Sequence, residues 1–157
     1  MNKDTYHHGS LKKAIMLEAL RLLSLQDSKE LSFRHISRNI GVVSSAPYNH
    51  FKDKDHLLQE IIVVGKNKLL ETIELEKKKS TIPTEQLSLI AKAYLKFAIE
   101  EKTLFNLMFS ETNKDLILLT DKIVVQFFVI ISEKFKKGKR VKLTEKGSAI
   151  TAWSMIH

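Results

Sequence analysis

Apolar positions recur at helical spacing along almost the whole chain. Leu11, Ala14, Ile15, Ala19, Leu22 and Leu23 form one broad stripe, with Lys12, Lys13, Glu18 and Arg21 mostly off it. That spacing predicts a helix over about residues 11–25, led by a polar arm and capped by Ser10. Phe33, Ile36 and Ile40 then mark one face of a much shorter helix with Ser32 as its N-cap. The opposite face carries Arg34, His35, Ser37, Arg38 and Asn39, all able to donate hydrogen bonds. Gly41 falls where a helix ends in the left-handed region. A further short helix is expected from about Ser44 to His50, since Pro47 is tolerated in or just before a first turn. Phe51 closes this unit against the core.

A fourth helix is expected to start at Lys54, with Asp53 as N-cap, and to reach about Lys78. Its core faces hold Leu57, Leu58, Ile61, Ile62, Val64, Leu69, Leu70, Ile73 and Leu75, with Gly65 as a packing site or slight bend. After a charged loop ending in Pro83, Thr84 is the expected cap for a helix bearing Leu87, Ile90, Ala91, Tyr94, Phe97 and Ala98. A short, very apolar helix follows over Leu104–Phe109. The segment from about Lys114 to Phe135 is apolar on more than one face, so it must be buried by neighbours and by a partner chain. Residues 136–142 are a basic loop, read as a solvated one, and a last helix carries Ile150, Trp153 and Ile156. The fold class is all-α.

Composition agrees. The 157 residues hold five Gly and two Pro, leaving long windows without breakers, and they hold no Cys. Disulfides and thiolate metal sites are therefore excluded, which fits a cytoplasmic protein. The formal charge is +8, yet it is not concentrated. Residues 1–79 carry 14 basic against 10 acidic side chains and residues 80–157 carry 12 against 8. The charge permits a polyanionic partner without pointing to a site. Five of the six histidines lie in the first 56 residues. No secretory signal opens the chain, and the longest apolar run, Phe127–Ile131, is far short of a membrane span. The paired His7 and His8 read as part of a polar arm and not as a metal site. No nucleophile–base pair, metal spacing or glycine-rich phosphate loop appears, so an enzyme is not expected, and no cofactor is implied.

Two short helices about a tight turn, with a polar second helix and a longer helix one beneath them, make a helix-turn-helix head. Within it several stretches resemble the TetR family of bacterial transcriptional regulators. They are Leu31-Ser32-Phe33-Arg34, Ile40-Gly41-Val42, Ala46-Pro47-Tyr48-Asn49-His50-Phe51-Lys52-Asp53-Lys54 and Leu57-Leu58. Tyr6-His7-His8-Gly9-Ser10-Leu11 is similar to an N-terminal segment of one branch. Ala93-Tyr94-Leu95-Lys96-Phe97-Ala98 and Leu104-Phe105-Asn106-Leu107-Met108-Phe109 look like that branch's ligand domain. Ala152-Trp153-Ser154-Met155-Ile156-His157 resembles its Trp-Ser-x-x-His-Gly signature, cut before the Gly.

The resemblance implies a DNA-binding domain over residues 1–56 and an incomplete ligand-binding and dimerisation domain over residues 57–157. It places Arg34 within reach of a base edge and puts Ser44, Ser45, Ala46, Tyr48 and Asn49 on the recognition helix. Tyr48, His50 and Lys54 fall at phosphate-touching positions. The chemistry agrees, since Arg pairs bidentately with guanine and Asn with adenine, while Lys and the Tyr hydroxyl hold phosphate. Val43 departs from the family, which has Ser or Thr there, so the cap of that helix is expected to pass to Ser44. The implied ligand pocket draws on Tyr94, Phe97, Phe105, Met108, Phe109, Phe127 and Trp153 as candidates, although aromatics at helical spacing are more often plain core.

The implied function is a dimeric repressor, released by a small-molecule effector from a palindromic double-stranded DNA operator. The family's last two helices build its dimer interface, and a chain ending in mid-pattern at His157 reads as truncated there, a defective regulator in the extreme. The competing reading is a helical interaction module with only non-specific polyanion or protein binding.

Overall fold

The computed structural model describes residues 3–25 and 31–110, and side chains from residue 10 onward. Among the described residues the protein is all-helical. Five α-helices run in order: α1 (Lys3–Leu25), α2 (Phe33–Ile40), α3 (Lys54–Lys77), α4 (Pro83–Glu100) and α5 (Lys102–Met108). A 3-10 helix, Ala46–Asn49, lies between α2 and α3. The expected helix 114–135, the basic loop and the final helix lie outside the described residues.

The chain divides into two compact units, Met1–Val63 and Val64–His157. In the first, Ile15, Ala19 and Leu22 of α1 bury the stripe that periodicity marks, against Leu31, Phe33 and Ile36. Phe51, Leu57, Leu58, Ile61 and Ile62 complete this core. Polar ties add to it. The Glu18 carboxylate accepts two hydrogen bonds from Arg21 at 2.8 Å and one from Asn39 Nδ2 at 2.7 Å, joining α1 to α2. Lys12 of α1 reaches Glu60 of α3 at 3.0 Å and lies 5.5 Å from the centre of the Phe51 ring.

In the second unit, Leu69, Ile73, Ile90, Ala93, Tyr94, Phe97, Leu104, Leu107 and Met108 are buried. At Gly65 two helices approach closely. A Cβ built there would stand 2.7 Å from Leu104 Cδ1 and from Met108 Sδ, so α5 rests directly on the α3 backbone. Gly65 is a packing site. The α3–α4 loop is held by Gln86, whose Nε2 donates to the Ser80 carbonyl at 2.8 Å, and by Ser80 Oγ, which donates to Glu85 at 2.6 Å.

Several expectations change. Helix α1 begins at Lys3, so the arm is helical and Ser10 lies inside a helix instead of capping one. Nothing in residues 3–10 breaks a helix outright, and Gly9 alone costs only about 1 kcal/mol relative to Ala. Helix α4 opens at Pro83 with Ile82 in the cap position, so Thr84 is already within it. Proline suits that first position because its missing N–H would have had no helical partner. Periodicity puts Val64 and Leu75 on core faces of α3, but they are 52% and 57% exposed. In a helix apolar on several sides, periodicity alone does not rank the faces.

Candidate nucleic-acid interface

Helix α2 is fixed at both ends by local chemistry. Ser32 is extended, and its hydroxyl accepts the His35 N–H at 3.3 Å. At the other end Gly41 has φ +73°, and both its N–H and that of Val42 point at the Ser37 carbonyl. The Val42 bond, 3.0 Å long, is the six-to-one closure typical of a left-handed helix stop. Only glycine takes that φ without strain.

The following segment is tighter than expected. In place of a recognition helix over Ser44–His50, the chain makes consecutive short turns: Ala46 N–H to Val43, Tyr48 N–H to Ser45, and His50 N–H to Pro47, each near 3 Å. Only Ala46–Asn49 qualifies as a helix, of the 3-10 kind, with Ser45 in the cap position and no side-chain cap. Ser44 therefore does not take over the capping role. Two causes are visible in the sequence. Val43 has no oxygen to hold the first free N–H groups, and Pro47 can donate no backbone bond of its own.

The turn nonetheless sorts its side chains cleanly. Ala46 and Pro47 are buried and anchor it, while Ser44, Ser45, Tyr48 and Asn49 are exposed. Ala46, expected on the reading face, thus serves the core. Tyr48 is 62% exposed yet positioned, its ring meeting Phe33 edge-on at 4.9 Å between centroids. His50 is half-buried, with its ring 6.3 Å from that of Phe51, and Lys54 is half-buried at the start of α3.

Arg34 is exposed on α2 and lines a concavity of about 470 Å³ with Ser32, His35, Ser37, Arg38, Val42 and Ser44. Two guanidinium groups, an imidazole and hydroxyl-bearing residues thus border one hollow beside the turn, a donor-rich surface suited to anionic oxygens. Sequence reasoning singles out Arg34 as a site residue but not His35 or Arg38. The signal was present, since Arg38 follows Arg34 by one helical turn on the polar face. That face is narrower than it reads: Ser37 is 1% exposed, and Asn39 is committed to Glu18.

The ligand-pocket candidates fall in the second unit. Tyr94, Phe105 and Phe109 come together as one aromatic cluster, with centroid distances of 5.4, 6.4 and 4.6 Å. Tyr94 is 1% exposed, and burial pushes its hydroxyl well above the usual phenol range. Met108 is buried against Gly65. Phe97 lines a separate open groove of about 320 Å³ with Lys68, Thr72, Lys92 and Lys96 among others. Phe127 and Trp153 lie outside the described residues. Among the described residues, no three His, Asp or Glu side chains gather as a metal site, and no helix is long and apolar enough to cross a membrane.

Residues 15–61 match the family model of bacterial regulatory proteins of the tetR family. That span takes in α1 from Ile15, the whole helix-turn-helix and the first two turns of α3. Among solved structures, a protein of unknown function from Rhodococcus sp. RHA1 is similar at 24% identity, with a TM-score of 0.79 over 97% of this chain and 81% of that one. PfmR, a TetR family transcriptional regulator from Thermus thermophilus, is similar at 21% identity, with a TM-score of 0.76 over 90% and 81%. AibR, solved with isovaleryl coenzyme A and operator DNA, is similar at 17% identity, with a TM-score of 0.74 over 92% and 83%. No curated protein matches the sequence. Fold and head together define a helix-turn-helix protein on an all-helical frame. Over residues 15–61 the head is similar to the N-terminal segment of that family.

Proposed function

We propose that the protein is a sequence-specific transcriptional repressor that works in the cytoplasm and binds a palindromic operator as a homodimer. The observation that carries this reading is the split within residues 44–49, the 3-10 turn and the two serines before it. Two residues anchor it, while Ser44, Ser45, Tyr48 and Asn49 face outward beside the Arg34–Arg38 hollow. In this reading Arg34 and Asn49 read base edges, and Tyr48, His50 and Lys54 hold phosphates. Residues 1–56 act as the DNA-binding domain and residues 57–157 as the ligand-binding and dimerisation domain.

The test is binding to a randomised duplex library at fixed salt, followed by point variants on the selected sequence. Arg34→Ala should relax preference at one base pair by about 1–3 kcal/mol. Lys54→Ala should weaken binding to all sequences alike and reduce the salt slope by about 1. Selection that enriches no sequence, with purely salt-governed binding, would instead establish the non-specific interaction module.

A small-molecule effector would bind in the second unit against Phe105 and Phe109, the half-buried rings of the aromatic cluster. Because AibR was solved with isovaleryl coenzyme A, acyl-coenzyme A thioesters are the first compounds to try. A true ligand at 100 times its Kd adds about 2.7 kcal/mol to stability, which a melting experiment would detect.

A further inference from the structure

The start of α3 is closed by an unusual pair of bonds. Asp53 Oδ1 accepts the His56 N–H at 2.8 Å, and His56 Nδ1 in turn accepts the Lys52 N–H at 3.1 Å. This resembles a capping box, in which the third helical residue reaches back to the backbone N–H of the cap, except that here the donor is Lys52, one residue before the cap Asp53. Ordinarily that residue is Glu or Gln, an acceptor at every pH near neutrality. Here it is an imidazole. A ring that accepts through Nδ1 must be neutral, with its proton on Nε2, and a charged ring has no acceptor left.

The neighbours give the charged ring somewhere to go. His56 Nε2 already lies 3.7 Å from Glu60 Oε1, while Lys12 of α1 holds Glu60 Oε2 at 3.0 Å. Among the described residues, the charged groups recorded around His56 are Glu60 on its own helix, opposite Nε2, Lys12 from α1 on the other Glu60 oxygen, and the Asp53 carboxylate on the His56 N–H. The Phe51 ring packs edge-on at 6.0 Å. The His56 side chain keeps 45% of its surface exposed, so protons reach it from solvent.

From this geometry we infer that His56 is a pH-dependent clamp on the turn between the recognition segment and α3. Neutral, it holds the Lys52 N–H and fixes the turn through which Tyr48, His50 and Lys54 are presented. Charged, it releases that N–H, is drawn to Glu60 and competes there with Lys12. The clamp is tight while the ring is neutral and open once both nitrogens carry a proton, and histidine as a residue type is the one whose charge ordinarily changes between about pH 5 and 8. The effect on DNA rests on the proposed function, whereas the clamp itself does not.

The experiment is nuclear magnetic resonance on the full chain between pH 5 and 8. The Lys52 amide proton should move upfield as pH falls, with the same midpoint as the His56 ring. In His56→Gln, which keeps a neutral acceptor, it should stay still through that range. A Lys52 amide that does not follow the His56 ring, or that titrates equally in His56→Gln, overturns the clamp. Binding to a random-sequence duplex is then compared at pH 5.8 and 7.5. The loss on acidification should be about threefold to tenfold greater in the native chain than in His56→Gln, as expected for one hydrogen bond. Identical pH dependence in both proteins, with the clamp seen in the spectra, overturns the coupling to DNA while leaving the clamp in place. If neither protein binds DNA at either pH, the proposed function fails and the coupling with it.

Discussion

Gly41 and Glu18 show how much of the head depends on single atoms. A Cβ at Gly41 would meet nothing within 4 Å, so Gly41→Ala adds no clash and isolates the cost of a left-handed backbone. That cost should be about 1–2 kcal/mol, seen as a lower denaturant midpoint with an unchanged slope. Glu18 is the acidic counterpart. The Arg21 hydrogen bonds, with Asn39 and the charges of Arg21 and His35 assisting, hold its carboxyl below the usual value of 4.5 despite partial burial. A depressed carboxylate stabilises the fold above its unfolded-state value and loses that contribution as pH falls through the folded one. The stability difference between the native chain and Glu18→Gln should therefore be full at neutral pH and shrink below about pH 4.5. Melting both proteins from pH 7 down to pH 3 checks this. A difference that stays constant across the range would mean that the Glu18 charge is not what ties α1 to α2.

At the scale of elements, the helices whose ends are set by neighbouring residues were legible in the sequence. Ser32, Gly41 and Asp53 each do what their position implied, because a cap needs only the next few residues to act. The 3-10 turn was not legible as such. Its shape depends on what Val43 lacks and on where Pro47 falls among overlapping turns, and no periodic signal reports that. Burial of Ser37 and Ala46, and exposure of Val64 and Leu75, were equally hidden, since they are decided by how helices pack and not by any one helix. Candidate DNA contacts could be named because the chemistry of Arg, Asn, Tyr and Lys is the same wherever they stand, and the structure adds that Arg34, Tyr48 and Asn49 are exposed. Gly65 gives this scale its own test. In a solvent-facing helix Gly→Ala gains about 1 kcal/mol, but here the new methyl meets Leu104 Cδ1 and Cγ and Met108 Sδ within 3 Å. Overpacking of this kind costs about 1–3 kcal/mol, so Gly65→Ala should destabilise. Made in a Leu104→Ala background, the same change should become neutral or favourable, and thermal melts of the four proteins would measure that coupling. Purely additive effects would mean α5 yields freely.

At the scale of the whole molecule, the +8 charge is shared almost evenly between the two halves. Long-range attraction to a polyanion would therefore act on the entire chain, and under the proposed function orientation comes from the donors around the 3-10 turn. A single head gives too little contact for tight, specific binding, and linking two converts the second contact into an intramolecular event. Light scattering at micromolar concentration should accordingly return twice the mass of one chain. A monomer would confine the protein to half-site affinity, and the repressor reading would then fail for this polypeptide.

The division of labour inside the 3-10 turn also bears on how such a protein changes over time. Because Ala46 and Pro47 seat the turn while Ser44, Ser45 and Asn49 are exposed, the lettering of this outer surface is nearly uncoupled from foldability. Surface substitutions away from caps and cores usually shift stability by no more than about 0.5 kcal/mol. Those three positions can therefore drift or be randomised together at little thermodynamic risk. Under the proposed function, a duplicated copy of the gene could explore new target sequences there without first acquiring compensating mutations in the core.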